Sequence, residues 1–283
     1  MSVYPACPVA KMEKLLLSTD GSILNEGAVK EAINLAKTCG SKLFIISVVE
    51  IPAFGAEFVE TLPKMVEKLE TDTRSLLKSL KERAAKEGVS CEAVMYQGAE
   101  PYKYIVDEAA KNNVEMIIMG RRGKTGLKRL MMGSVTAKVI GYAPCKVMVV
   151  PRNAGLALKK ILIATDGSIY SELASREAIS IAKRTGGSLI ALSVAKKDEN
   201  LPMARESVDM VKKVAEREGM KVEALTLKGE PYEVIVKTAG QKNAGLIVVG
   251  SHGRTGIERL LMGSVTERVI GHAGCAVLVV RKP

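Results

Sequence analysis

The sequence contains few aromatic residues, with no Trp, three Phe and 4% aromatic residues overall. Proteins that bind single-stranded nucleic acids stack the bases on aromatic side chains. The composition therefore argues against nucleic acid as a partner, although the chain has a formal net charge of +11. A positive balance of this kind also suits small ligands that carry phosphate.

Long apolar runs are also missing, since no stretch approaches the roughly 18 to 20 apolar residues of a membrane-spanning helix. The first twelve residues do not combine a charged start with an apolar stretch, so they do not resemble a secretory signal. We predict a protein without a membrane segment and a cytoplasmic location.

Cysteine and histidine are scarce as well. The five cysteines form no CxxC pair and are odd in number, which argues against a disulfide framework and a thiolate metal site. We expect buried free thiols at Cys7, Cys39, Cys91, Cys145 and Cys275. The two histidines are His252 and His272.

The chain contains an internal duplication. LLLSTDGS at 15–22 returns as ILIATDGS at 161–168, and GRRGKTGLKRLMMGSVT at 120–136 returns as GSHGRTGIERLLMGSVT at 250–266. The first match is offset by 146 residues and the second by 130, so the first copy contains sixteen more residues. Most of them lie between residues 50 and 96, which we interpret as a divergent lid. The duplication predicts two domains, 1–153 and 154–283, joined by a short linker within 151–157.

Within each copy, short apolar runs alternate with amphipathic stretches, which is typical of an α/β fold with a buried parallel sheet. GAVKEAINLAKTCG is one such helical stretch, and it ends on Gly40, a usual helix stop. Five strands are predicted in each copy: 14–18, 43–49, 92–97, 115–120 and 146–150 in the first, and 160–164, 189–194, 222–228, 246–250 and 276–280 in the second.

A glycine-rich segment follows the fourth strand of each copy. Its spacing is glycine, two residues, glycine, nine residues and Gly-Ser, with Ser134 and Ser264 near predicted helix starts. Backbone N–H groups in such loops and at helix starts favour a phosphate, whereas an ordinary tight turn is the alternative. The segment is not a P-loop, because position 118 is Ile, and no GxGxxG is present.

With this spacing in both copies, the chain resembles the universal stress protein family over nearly its whole length. The resemblance implies a tandem member with two Rossmann-like domains of the adenine nucleotide alpha hydrolase type, each with a five-stranded parallel sheet flanked by helices. It also implies that both halves bind ATP, AMP or a related adenine nucleotide.

The resemblance carries over to individual residues. Asp20 and Asp166 match the aspartate that reaches the ribose, although Asp-Gly-Ser is also good turn chemistry. Val48 and Val194 match the residue whose backbone contacts adenine. The other implied contacts are Ser18, Met119, Gly120, Arg121, Arg122, Gly123, Lys124, Gly133, Ser134, Val135 and Thr136 in the first half, and Ala164, Val249, Gly250, Ser251, His252, Gly253, Arg254, Gly263, Ser264, Val265 and Thr266 in the second.

The two predicted sites differ in charge. Residues 121–129 contain five basic residues and no acid, whereas 251–259 contain two basic residues and one acid. This difference predicts tighter triphosphate binding in the first half, and a solvated charged face is the alternative. GAEP at 98–101 is one residue longer than GEP at 229–231, so adenine packing should differ as well.

These features favour a nucleotide-binding regulator or stress-response switch, in which His252 neighbours the phosphates and His272 is structural. A slow ATP hydrolase or phosphotransferase is the alternative, with Mg²⁺ held by Asp20 or Thr136. The resemblance also implies that the last strands of the two halves pair within one chain as a pseudo-dimer. A homodimer of two chains stays open.

Overall fold

The computed structural model describes residues 7–8, 12–51, 62–123, 132–254 and 262–282. The first half contains the elements β1 (Lys14–Ser18), α1 (Glu26–Cys39), β2 (Lys42–Glu50), α2 (Leu62–Lys86), β3 (Cys91–Gly98), α3 (Pro101–Lys111), β4 (Met116–Gly120), α4 (Ser134–Tyr142) and β5 (Lys146–Val150). The second half contains β6 (Lys160–Ala164), α5 (Ile169–Thr185), β7 (Ser188–Ala195), α6 (Leu201–Arg217), β8 (Val222–Lys228), α7 (Pro231–Gln241), β9 (Leu246–Gly250), α8 (Ser264–His272) and β10 (Ala276–Val280).

All ten predicted strands are present, each within one residue of its predicted bounds at either end. They form a single sheet in the order β3-β2-β1-β4-β5-β10-β9-β6-β7-β8. Strands are parallel within each half, and the halves join through β5 and β10, which pair antiparallel with Met148 opposite Leu278. The α/β fold class and the pairing of the two last strands are therefore confirmed.

Helices cover both faces of the sheet, since parallel strands must be buried on both sides. One hydrophobic cluster packs α1, α2, α5 and α6 against one face, and a second packs α3, α4, α7 and α8 against the other. The strands β9 and β10 at the centre are buried along their whole length. The core therefore runs without a break from one half into the other.

Helix ends follow the sequence signals. The helix α1 ends at Gly40, as predicted, with φ +66°, and α5 ends at Gly186 with φ +67°. These left-handed conformations favour glycine because it has no Cβ.

One cysteine prediction was wrong, because Cys7 and Cys39 form a disulfide across a separation of 32 residues. Cys7 lies at the end of α1, and its carbonyl accepts a hydrogen bond of 2.8 Å from Arg184 Nε at the end of α5. No short motif signals a pair so far apart in sequence. Cys91, Cys145 and Cys275 are free and half-buried.

The connection between the halves packs onto the fold. After β5, Leu156 and Leu158 are buried, and Ala157 forms an isolated bridge with Gly245. The domain boundary at residue 153 stays a prediction. Most of the predicted lid before α2 lies outside the described residues. Within the described ranges, no helix is both long and apolar enough to cross a bilayer.

Candidate nucleotide site

The first half contains a cavity of about 390 Å³ at the carboxyl ends of β1, β2 and β4. Its volume lies within the roughly 300–1,000 Å³ of ligand pockets. The strand order reverses between β1 and β4, which is where open α/β sheets bind ligands. The predicted residues that line this cavity are Ser18, Asp20, Val48, Met119, Gly120, Arg122, Gly123, Gly133, Ser134, Val135 and Thr136.

Asp20 is fixed by the turn that follows β1. Its Oδ1 accepts hydrogen bonds from Ser22 N at 2.9 Å and from Asn25 Nδ2 at 2.5 Å. A Cβ built on Gly123 would lie 2.6 Å from Asp20 Oδ2, which is too close for a side chain. Glycine at 123 thus lets the loop after β4 approach the carboxylate of Asp20.

The loop after β4 leads into α4. Its base is closed by a hydrogen bond of 3.0 Å from Gly133 N to Arg121 O. Thr136 Oγ1 donates to Gly120 O at 3.2 Å, which ties the first turn of α4 to the end of β4. The first N–H groups of a helix have no partner within the helix and carry its positive dipole end. The start of α4 at Ser134 therefore presents favourable surroundings for an anion at the cavity wall.

Two basic residues of the predicted set, Arg121 and Lys124, are not among the described residues that line the cavity. Arg121 points to the other half, where its Nη1 donates to Gly271 O at 3.0 Å and Ala273 O at 3.1 Å, at the C-terminal end of α8. Burial, together with the nearby charge of Arg122, lowers its pKa. This guanidinium binds carbonyls of the second half, and a contact of Arg121 with the nucleotide stays a prediction. Lys124 lies outside the described residues, as do Lys128 and Arg129, so the charge difference between the loops stays a prediction.

The second half repeats the geometry around the aspartate. Asp166 Oδ1 accepts from Ser168 N at 3.0 Å, and its Oδ2 accepts from Arg254 N at 2.8 Å. A Cβ on Gly253 would again lie 2.6 Å from the aspartate Oδ2. The structure therefore brings Asp166, Gly253 and Arg254 together, as it does Asp20 and Gly123.

The base of the second loop is also closed as in the first half. Gly263 N donates to Ser251 O at 2.9 Å, and Thr266 Oγ1 donates to Gly250 O at 2.8 Å. The helix α8 then starts at Ser264, with Val265 half-buried.

The apolar residues of the predicted sets occupy one core layer. Met119 and Val249 belong to the hydrophobic cluster formed with α3, α4, α7 and α8, and Val48, Ala164 and Val194 pack against it. These positions match between the two halves.

The second half differs in its side chains. Ser251 is only 1% exposed, and its predicted contact with the nucleotide stays a prediction. Its Oγ lies 3.1 Å from His252 Nδ1, and the His252 ring packs on Tyr170 with 5.2 Å between centroids. Gly250 allows the close approach of Tyr170, since a Cβ there would lie 2.7 Å from the Tyr170 carbonyl carbon. His272 contacts the Tyr232 ring at 5.1 Å, which fits the predicted structural role.

The cavity also contains residues that the sequence did not indicate. Asn25 is buried and holds Asp20, and the others are Thr19, Ser47, Val49, Glu50, Leu69, Thr73, Pro101 and Ile105. Leu69 and Thr73 come from α2, which begins in the segment without a counterpart in the second half. The available signal for Asn25 was its position five residues after Asp20, at the start of a predicted helix.

Metal ligands do not cluster in the part of the chain that the structure describes. No group of three or more His, Cys, Asp or Glu side chains there is arranged to hold a metal ion.

The fold is that of a Rossmann-like α/β protein with a cavity at its topological switch point. The model of the universal stress protein family matches residues 11–151 and 157–281. The chain therefore belongs to the universal stress protein family, with two family segments in tandem.

Known relatives agree with this assignment. A universal stress protein of Methanocaldococcus jannaschii is 42% identical over 148 residues, covering 47% of this chain and 87% of its own length. One from Synechocystis sp. is 27% identical over 299 residues, covering 95% of this chain and all of its own. The crystal structure of a universal stress protein from Archaeoglobus fulgidus superposes with a TM-score of 0.75 at 22% identity, covering 96% of this chain and 97% of that one. This last similarity concerns the fold.

Proposed function

We propose that each half of this universal stress protein binds one adenine nucleotide and that the protein acts as a nucleotide-dependent regulator in a stress response. The observation that carries the proposal is the 390 Å³ cavity of the first half. This cavity is bordered by an apolar wall, by the Asp20 carboxylate, whose position is fixed by hydrogen bonds, and by the start of α4.

These three features suit the three parts of a nucleotide. Val49, Met119 and Ile105 offer an apolar surface for the base. The Asp20 carboxylate offers an acceptor for the ribose hydroxyls. Gly123 and the start of α4 offer backbone N–H groups to the phosphates. The equivalent contacts of Asp166 with Gly253 and Arg254 support the same proposal for the second half.

The side chains of the cavity favour binding over fast catalysis. Among its described lining residues, the ionisable groups are Asp20, Glu50 and Arg122, and none is a histidine. Thr136 is 3% exposed and already donates to Gly120 O, so Asp20 is the better candidate oxygen ligand for a Mg²⁺ ion bound with the phosphates. ATP hydrolysis, where it occurs, should then be slow.

Isothermal titration of the full chain with ATP and with AMP tests the proposal. We expect two nucleotides per chain, and we expect Gly123→Ala and Gly253→Ala each to remove about one of them. The added methyl group would lie 2.6 Å from the aspartate Oδ2 and would force the loop away. Gly240→Ala is the matched control, because a Cβ at this helical position of α7 meets no atom within 4 Å.

Two results would contradict the proposal. A folded wild-type chain that binds neither nucleotide would remove its central statement. Release of phosphate from Mg²⁺-ATP at about 1 s⁻¹ or faster would favour the alternative, a hydrolase or phosphotransferase.

A further inference from the structure

A second cavity, of about 300 Å³, lies between α5 and α6 in the second half. None of the residues predicted to bind nucleotide lines it. Its walls come from the turn after β6, from α5 and from α6: Thr165, Gly167, Ser171, Glu172, Ser175, Arg176, Ser207, Met210, Val211, Lys213, Val214 and Arg217.

The internal duplication supplies a natural comparison for this cavity. The helices α1 and α2 of the first half correspond to α5 and α6, and the same ion pair joins each pair of helices. Lys37 Nζ lies 2.7 Å from Glu87 Oε2, and Lys183 Nζ lies 2.7 Å from Glu218 Oε2. These matching pairs fix which residues of the two halves are equivalent.

The floor of the cavity is open because three side chains are smaller than in the first half. Ser207, Ser175 and Ser171 stand where the first half has Leu76, Val29 and Asn25. Leu76 packs directly on the turn after β1, since a Cβ on Gly21 would lie 2.5 Å from its Cδ2. At the equivalent Gly167, the neighbours are Ser207 Oγ and Arg254 Nη2.

The mouth of the cavity is open for a different reason. In the first half Arg83 of α2 forms an ion pair of 2.7 Å with Glu26 of α1, which closes the groove. The equivalent of Arg83 is Val214, which cannot form this bridge. Glu172, the equivalent of Glu26, instead pairs at 2.8 Å with Arg176 on its own helix.

The charge and polarity at the mouth of the cavity also differ from those of the first half. Lys213 replaces Glu82 and Met210 replaces Ser79, so a negative and a polar residue give way to a positive and an apolar one. Arg176, Lys213 and Arg217 are exposed at the rim. The groove thus combines apolar walls with a rim of three cations and one carboxylate.

The buried hydroxyls add a polar preference at the floor. Ser175 Oγ donates to Ser171 O at 2.6 Å, and Ser207 Oγ donates to Met203 O at 2.8 Å. Ser207 Oγ also accepts a hydrogen bond of 3.4 Å from Arg254 Nη2. Because the Ser175 proton points to a backbone carbonyl, Ser175 Oγ offers an acceptor to one N–H or O–H group of a ligand.

From these differences we infer that the α5–α6 cavity is a second binding site, for a small anion with an apolar body, such as an aromatic carboxylate or sulfonate. The anionic group lies at the Arg176, Lys213 and Arg217 rim, and the apolar body lies against Val211, Val214 and Met210. The inference does not depend on nucleotide binding.

Titration with 8-anilinonaphthalene-1-sulfonate, an apolar anionic dye that becomes fluorescent when bound, tests the site on the full chain. We expect saturable binding by the wild type and its loss in Ser207→Leu, which restores the first-half residue at the floor. Lys213→Glu should weaken binding about fivefold or more, the size expected when a charge contact with an exposed anion is lost and replaced by repulsion. Because Lys213 is exposed, this variant should fold normally.

Lys212→Glu is the matched control, since it makes the same charge change on α6 at a residue that does not line the cavity. It should leave dye affinity within about twofold of wild type. Equal weakening of dye binding by both lysine variants would show that the effect comes from the overall charge of the protein. This result would overturn the proposed site. Unchanged binding in Ser207→Leu, or displacement of the dye by ATP, would place the dye elsewhere and also overturn it.

Discussion

The three reduced cysteines differ in reactivity from an ordinary surface thiol. Burial raises the pKa of Cys91 and Cys275 to about 11, and that of Cys145 to about 12. Only the thiolate reacts quickly with alkylating reagents, and a higher pKa moves thiolate formation to higher pH. These cysteines are therefore nearly all in the thiol form at neutral pH.

We predict that iodoacetamide labels Cys275 at pH 8 about a hundredfold more slowly than a model thiol, because two pKa units correspond to that factor in thiolate. The rate should rise about tenfold per pH unit up to the folded pKa. Mass spectrometry of the labelled full chain at several pH values measures it, and rapid labelling of the folded chain at pH 8 would contradict it.

For single residues, the sequence indicated those candidate site residues whose type and spacing return in the second half. Asp20 and Gly123 were found because their types and spacing return at Asp166 and Gly253. The contact of the Arg121 side chain with the other half was not predicted, because a loop sequence does not show to which side of a strand end a side chain points. Asn25 was missed, because its role depends on the turn that brings it back to Asp20.

Among the elements, α1 is tied at its end to the segment before β1. The Cys7–Cys39 disulfide closes a loop of 32 residues, and Cys7 O also accepts from Arg184 of α5. A crosslink over a loop of this length restricts the unfolded chain and stabilises the folded one by about 4 kcal/mol in the chain-entropy model. The N-terminal segment thus contributes to the stability of both halves.

Reduction should therefore lower the free energy of unfolding by about 4 kcal/mol, measured in urea with and without dithiothreitol. Cys39→Ser should lower it similarly and abolish the response to dithiothreitol. Cys91→Ser is the control, since Cys91 is a free thiol and its loss leaves the response intact. A wild-type chain with the same urea midpoint under both conditions would contradict the prediction.

The strands could be predicted almost completely from the sequence, because the apolar runs 147–150 and 276–280 are continuous and are followed by Pro151 and Arg281. The disulfide could not, since pairing of Cys7 with Cys39 requires the chain before β1 to fold back onto α1. The cavity wall from α2 was also hidden, because that helix begins in the segment that has no counterpart in the second half.

For the molecule as a whole, two arginines cross the junction of the halves in opposite directions. Arg121 Nη1 donates to Gly271 O and Ala273 O beside the end of α8, and Arg281 Nη1 donates to Ile140 O near the end of α4. Positive charge is favourable at helix C-termini. The junction therefore combines the β5–β10 pairing with a charged contact on each side.

We predict that Arg121→Ala lowers the free energy of unfolding by about 1–3 kcal/mol, the usual loss when a charged donor is removed from backbone acceptors. Arg281→Ala should have a similar effect, and Arg205→Ala, at an exposed position of α6, should change it by less than about 0.5 kcal/mol. Urea unfolding of the full chain measures all three. Equal free energies of unfolding for Arg121→Ala and wild type would show that the Arg121 hydrogen bonds across the junction do not contribute to stability.

The antiparallel pairing of β5 with β10 also sets the direction in which each half faces. The strands of the first half run in one direction, and those of the second half run in the opposite direction. The carboxyl ends of the two sets of strands therefore face opposite sides of the molecule. A macromolecule docked over the strand ends beside Asp20 leaves the strand ends beside Asp166 uncovered. The two proposed nucleotide sites therefore open in opposite directions, and a partner that contacts one of them leaves the other accessible.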